Sequence, residues 1–289
     1  MPLTTRELGP GFALEISGIS NSFPNDPDEL QKIYDYFLSR KVIVIRNARI
    51  SAAAFVEFSK LFGAADPHHV AAVRHPSEPV ITVLSNQDEI GRSPEMKKFG
   101  AGWHSDYSYL RTPSKATMLL GVEVPEEGGD TLFADTAQAF EALPDHLQKQ
   151  ILGRKVRHEY RFMKDRSHPG ARWNMLSEAE QAATPEVQHP LVIRHPETGK
   201  NCLFIAPSAI AGIKGIADME EEESDALLSQ LFAHMTLPAF VYRHQWRPYD
   251  LVVWDNRSTI HAATTDQLPS DRVRRMYRIT TNGSEPIAA

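Results

Sequence analysis

Residues 250–261 read Asp-Leu-Val-Val-Trp-Asp-Asn-Arg-Ser-Thr-Ile-His, and residues 272–280 read Arg-Val-Arg-Arg-Met-Tyr-Arg-Ile-Thr. Four apolar residues end in a polar Asp255-Asn256 turn, a second β-rich run carries His261, and a third run is studded with arginines. This is the signature of short strands joined by tight turns. Along the third run Arg274 and Arg278 share a face about 13 Å apart, and Arg275 points the other way. Inward-facing arginines on a strand require anionic company, although pairing with surface carboxylates is the commoner fate of an arginine. Similar runs recur at Pro79 to Leu84, Ala116 to Val124, Leu191 to His195, Cys202 to Ile205 and Phe240 to Trp246. Seven or more short strands with few helices predict a mainly β fold with flanking helices. A jelly roll, the double-stranded β-helix, hides so many edges while leaving a pocket between its sheets.

The helices are legible by their spacing. Asp28 to Phe37 precedes the strand-like Val42 to Arg46, and Ser51 to Leu61 sets Phe55, Phe58 and Phe62 on one side with Gly63 as a stop. A third helix, capped by Asp135 or Thr136, is expected to run toward Gly153 with Phe140, Leu143, Leu147 and Ile151 on one side. Glu220 to Glu223 form the acidic first turn of a fourth. No Ser/Gly-rich or Pro-rich spacer interrupts the chain, so residues 1–289 are expected to form one domain. The long, weakly periodic stretch 162–185 is a candidate lid over a substrate.

Composition narrows the function. A chain of 289 residues, 42% hydrophobic and 24% charged, buries about three quarters of its unfolded surface. Its 31 basic against 37 acidic residues, net −6, give no footprint for a nucleic acid or an anionic membrane. One cysteine, Cys202, excludes an internal disulfide and reads as a buried strand residue. No secretory leader or bilayer-length apolar run is legible, and a cytoplasmic protein is expected. No Gly-x-Gly-x-x-Gly, Walker loop, nucleophile elbow or Cys-x-x-Cys occurs.

The chemistry lies in Gly102-Trp103-His104-Ser105-Asp106. In extended chain, i and i+2 point the same way, so His104 and Asp106 can hold one ion, with a distant histidine completing the set. Two imidazoles and one carboxylate with open positions form the arrangement of non-haem Fe(II) oxygenases. His-x-Asp alone is weak, since 12 histidines and 37 acids supply it by chance as a satisfied pair.

The full set is more specific. Trp103-His-Ser-Asp106, Pro125-Glu-Glu-Gly-Gly-Asp-Thr131, Trp254-Asp-Asn-Arg257, His261 and Arg274-x-x-x-Arg278 occur in this order. With them the chain, from about Ala13 through Thr281, resembles the TauD/TfdA group of Fe(II)- and 2-oxoglutarate-dependent dioxygenases, which are cupin-like in fold. The resemblance implies His104, Asp106 and His261 as catalytic iron ligands, and Thr131 and Arg274 as partners of the distal carboxylate of 2-oxoglutarate. Arg272 competes for the last role, because the gap from His261 to Arg274 is two residues longer than the group's pattern. It further implies Arg278, Asn86 and His69, or its neighbour His68, on the substrate side, with O2 as second cosubstrate and a dimer or tetramer as assembly; Tyr107, which follows the metal pair, is a substrate-side candidate by position. The expected reaction is hydroxylation, desaturation or carbon–heteroatom cleavage of a small carboxylate or sulfonate, yielding succinate and CO2. Because Asp106 is a carboxylate, no halide position opens on the metal.

Two rivals remain: a non-catalytic metal- and acid-binding β-barrel sensor, and a zinc hydrolase, which lacks an obvious base. Tyr107, Tyr109, Phe204 and Trp173 are assigned to core rather than pocket, with Tyr107 and Tyr109 the better pocket candidates. The run Arg157 to Arg161 reads as a solvated loop.

Overall fold

The computed structural model describes residues 3–19, 26–68, 73–87, 100–160, 182, 184–206, 211–269 and 271–289. In chain order these carry β1 (Thr4–Leu8), β2 (Ala13–Ser17), α1 (Pro27–Arg40), β3 (Val42–Ile45), α2 (Ala52–Ser59), β4 (Thr82–Ser85), β5 (Ser114–Glu123) and β6 (Thr131–Asp135). There follow α3 (Thr136–Glu141), α4 (Asp145–Ile151), β7 (Lys155–Tyr160), β8 (Val187–Pro190), β9 (Val192–Arg194), β10 (Asn201–Leu203) and β11 (Ala211–Ile216). The chain closes with α5 (Glu221–Met235), β12 (Val241–His244), β13 (Leu251–Asp255), β14 (Thr259–Ala263), β15 (Arg275–Asn282) and β16 (Ile287–Ala288).

A seven-stranded sheet, β1-β2-β3-β13-β5-β15-β4, faces the three-stranded sheet β12-β6-β14, the paired layers of a jelly roll. Two further three-stranded sheets, β11-β7-β8 and β10-β9-β16, flank the smaller layer. The alternation of each strand in the large sheet decides what reaches the interior. Ile43, Ile45, Met118, Leu120, Leu251, Val253 and Ile279 pack outward beneath α1 and α2, against Phe37, Phe55 and Phe62. Val42, Val44, Leu119, Val252, Trp254 and Met276 point inward, where they meet Phe133 of β6 and Tyr242 of β12. Thr117 and Arg278 fall on that same inward register, beside Leu119 and Met276, so the dry core between the layers ends in polar side chains.

Local signals place the helices. Asp26 and Ser51 cap α1 and α2 through the N–H groups of Asp28 and Ala54. Asp135 accepts from the N–H groups of Ala137 and Gln138, both at 3.0 Å, and pairs with buried Lys41. The single helix expected from residue 136 toward Gly153 is two helices, α3 and α4. Pro144 disfavours helix at Leu143 and has no N–H to continue the ladder, so the chain restarts with Pro144 as the cap residue.

The run Arg157 to Tyr160 is a strand, not a solvated loop. His158 is fully buried, and Glu159 and Tyr160 are 5% and 8% exposed, because β7 is the middle strand of its sheet. The candidate lid, 162–185, lies outside the described residues except for Ala182, Thr184 and Pro185, and Arg161 and Trp173 also lie outside them. No helix among the described residues is long and apolar enough to cross a membrane.

Candidate metal centre

His104 and His261 are brought together by backbone. His104 N donates to the His261 carbonyl and His261 N donates to that of His104, both at 2.8 Å, so the Trp-His-Ser-Asp segment forms an isolated antiparallel bridge to β14. The two rings lie 4.1 Å apart. Asp106 Oδ1 is 3.9 Å from His104 Nε2 and Asp106 Oδ2 is 3.8 Å from His261 Nε2. Ligand atoms of the three residues lie within 4.8 Å of one another, and among the described residues no other His/Cys/Asp/Glu group meets this condition. Tyr107 then adopts a left-handed φ of 56°, at a cost of about 1–3 kcal/mol, and turns the chain away from the bridge.

The protonation pattern suits a divalent ion. His104 Nδ1 lies 2.9 Å from the Gly102 carbonyl, which can only accept, so the proton sits on Nδ1 and the Nε2 lone pair is free. His261 Nδ1 is buried with no hydrogen-bond partner among the described residues. Burial holds both imidazoles below the usual histidine range, and for His261 the neighbouring His104 adds to it. Burial pushes Asp106 the other way, but the Arg278 guanidinium, the two imidazoles and the Thr117 hydroxyl outweigh it and hold the carboxyl at about 2. Two neutral nitrogens and one carboxylate oxygen, converging and nearly dry, are a fitting donor set for ferrous iron.

Around them is a cleft of about 840 Å³, counted out to its open mouth, lined by His104, Asp106, His261, Thr131, Arg274 and Arg278 on its polar side. Leu84, Leu119, Trp254, Tyr107, Tyr109 and Tyr160 form its apolar side. Thr131 Oγ1 accepts from Trp246 Nε1 at 3.0 Å, which leaves its own proton for an incoming acceptor. Arg274 is 6% exposed, and among the described residues no carboxylate lies in ion-pair range of it. Burial, outweighing the opposing field of Asp130, drives its guanidinium down to about 10, a cost that an entering carboxylate would relieve. Arg272 is exposed and absent from the lining, so of the two arginines only Arg274 reaches the cleft.

Gly129 makes the approach of Arg274 feasible. It has φ 68°, its carbonyl accepts from Arg274 Nε at 3.0 Å, and a Cβ there would stand 2.9 Å from Arg274 Cδ. Gly129→Ala is therefore expected to raise the KM for 2-oxoglutarate at least tenfold, about 1.4 kcal/mol, with the fold retained by circular dichroism. An unchanged KM would show that this contact does not place Arg274.

Three further expectations meet the structure differently. Asn86 does not line the cleft. Its Nδ2 donates to the Arg272 carbonyl at 2.6 Å and its Oδ1 accepts from Arg274 N at 2.9 Å, so both ends of its amide clamp the chain entering β15. Arg278 reaches the cleft, but Nη2 donates to Asp106 Oδ1 at 3.0 Å and Nε to Thr280 Oγ1 at 3.0 Å. His69 lies outside the described residues, and its neighbour His68 is in the lining.

Sequence reading missed Tyr160, assigned to a loop, and the polar set behind Asp106. Tyr109 packs at a tilt, 4.3 Å from Tyr160, and stands edge-on, 5.9 Å, to Tyr107, forming one aromatic wall. The Asp255-Asn256-Arg257 turn is pinned from outside: Arg257 grips both oxygens of Asp255 and also pairs with Glu197, and His195 Nε2 lies 3.0 Å from Asp255 Oδ2. Alternation of charged Lys155, Arg157 and Glu159 with Val156, His158 and Tyr160 was the available signal for the first. For the second, the Trp254-Asp-Asn-Arg257 motif marked the turn but not its contacts with Glu197 and His195.

Comparison with known proteins agrees with this geometry. The family described as taurine catabolism dioxygenase TauD, TfdA family matches residues 4–280. An alkylsulfatase of Acinetobacter baylyi is 33% identical over 288 residues, covering 97% of this chain and 85% of its own. An alpha-ketoglutarate-dependent 2,4-dichlorophenoxyacetate dioxygenase of Cupriavidus pinatubonensis is 29% identical, covering 97% and 98%. The crystal structure of AAD-2 in complex with Mn(II) and N-oxalylglycine superimposes with a TM-score of 0.81 at 27% identity, covering all of both chains.

Proposed function

The chain belongs to the TauD/TfdA family of Fe(II)- and 2-oxoglutarate-dependent dioxygenases, and on that premise we propose that its primary substrate is a small organic monoanion with an apolar body. His104, Asp106 and His261 would hold the iron, and Arg274 with Thr131 would hold the distal carboxylate of 2-oxoglutarate. The ferrous ion, when bound, couples O2 and the decarboxylation of 2-oxoglutarate to succinate with oxidation of a substrate C–H bond.

The charge balance of the cleft carries the substrate reading. The ferrous ion, Arg274 and Arg278 bring four positive charges, and Asp106 with the 2-oxoglutarate dianion brings three negative ones. One positive charge remains in a site of low dielectric, and a singly charged anion neutralises it. The hydroxyls of Tyr107 and Tyr109 stay protonated, since burial raises both, and serve as donors to that anion. The tyrosine rings and Leu84 offer a face for an apolar body. An alkyl sulfate and 2,4-dichlorophenoxyacetate, in the names of two relatives, both have this form. The protein supplies no general base to this reaction. Its residues orient substrate and cosubstrate, and Leu119 and Trp254 keep water from the floor of the cleft.

The test is succinate formation under O2 and Fe(II) across aryl and alkyl carboxylates, sulfonates and sulfate monoesters, with dianionic and neutral counterparts. Apolar monoanions should accelerate it, and preference for a dianion or a neutral compound would overturn the charge reading. With the best substrate, Tyr109→Ala should raise substrate KM about tenfold, the loss of roughly 1.5 kcal/mol of aromatic contact, without moving the KM for 2-oxoglutarate.

A further inference from the structure

Behind Asp106 lies a chain of buried hydrogen bonds whose direction is dictated from one end. Asn256 Oδ1 faces two groups that can only donate, Trp254 Nε1 at 3.1 Å and Asp106 N at 3.3 Å. The amide orientation of Asn256 is thereby settled, and its Nδ2 is turned to Thr117, whose Oγ1 accepts at 2.9 Å. Thr117 has a single proton, and with a lone pair occupied by the amide that proton must go elsewhere. The Thr280 hydroxyl lies 3.4 Å away and the Asp106 Oδ2 only 2.6 Å, a charge-assisted distance. Thr117, Asn256 and Asp106 are 0%, 1% and 4% exposed, so water cannot substitute for any link.

Resting on the ligand set proposed above, we propose that Thr117 is a positioning residue for the metal carboxylate. The Trp254–Asn256–Thr117 chain delivers one fixed donor to Asp106 Oδ2, as Arg278 delivers another to Oδ1. Each oxygen of Asp106 accepts from one fixed donor and keeps a lone pair for an ion, and rotation about its side-chain bonds breaks a hydrogen bond on both sides. The carboxylate therefore stands aimed before an ion arrives. The fold makes this arrangement because Thr117 lies on the inward register of β5 opposite Trp254 of β13, and Asn256 follows in the turn that Arg257 and His195 hold from outside.

The experiment measures Mn(II) affinity by calorimetry on the whole metal-free protein, with thermal stability recorded for each variant. Thr117→Val keeps the shape and removes the hydroxyl; Mn(II) binding should weaken 10- to 100-fold, as for partners that orient ligands. Thr117→Ser restores the hydroxyl and should restore the affinity. Ile33→Ala, a truncation beneath α1 on the far side of the large sheet, lowers stability without touching the chain and should bind Mn(II) normally. Wild-type affinity in Thr117→Val, failure of Thr117→Ser to recover, or an equal loss in Ile33→Ala would each overturn the proposal. His261→Ala separates the two levels: if it binds Mn(II) like the wild type, the ligand set itself is wrong; if it fails to bind and Thr117→Val binds normally, only the positioning role is wrong.

Discussion

Replacing His104 with alanine should abolish iron binding and turnover together, lowering the rate of 2-oxoglutarate decarboxylation by on the order of a thousandfold or more, about 4 kcal/mol. The reason is geometric. Three donors share one face of the ion, and the Nε2 lone pair of His104 is directed there because the Gly102 carbonyl holds the proton on Nδ1. Alanine leaves a site of one imidazole and one carboxylate open to solvent. The backbone bridge to His261 does not involve the side chain, so the fold should persist, and circular dichroism with a thermal melt checks it. Full activity in a folded His104→Ala protein would refute the site.

The second large effect separates cosubstrate from metal. Arg274→Met should raise the KM for 2-oxoglutarate by roughly 10²- to 10³-fold, since deleting one partner of a buried charged pair costs about 2–5 kcal/mol. Mn(II) affinity in the absence of 2-oxoglutarate should be unchanged. Stability should move in the opposite sense to function. Arg274 is a buried cation without a carboxylate in ion-pair range among the described residues, and its lowered pKa means that the folded state disfavours its charge. Removing it relieves that cost, so the melting temperature of the metal-free protein should hold or rise. A melt lowered by many degrees together with an unchanged KM would assign Arg274 a structural role.

The same contrast explains the missed residues. Arg278 was legible as an inward arginine, because alternation along β15 is a local property. That its Nη2 lies on Asp106 could not be read, since the contact spans 172 positions. Asn86 illustrates the converse. A polar residue near the expected pocket pointed to a substrate role, and the pairing of β4 with β15 gives its amide two backbone partners that no local signal marked. Thr117 had no signal at all, being one threonine in a β-rich run.

The sequence by itself determined the chemistry on offer and the local faces. Two imidazoles, a carboxylate and two arginines stand in a recognisable order, and strand periodicity sends Val252 and Trp254 one way and Leu251 and Val253 the other. Tertiary structure alone decided which groups meet. Strand pairing sets the register of β5, β13 and β15, and a shift of one residue would exchange Thr117 for Met118 on the inward face. Period-two alternation is written in neighbouring residues, whereas a hydrogen bond of 2.6 Å between Thr117 and Asp106 exists only once distant strands have closed the layers around it.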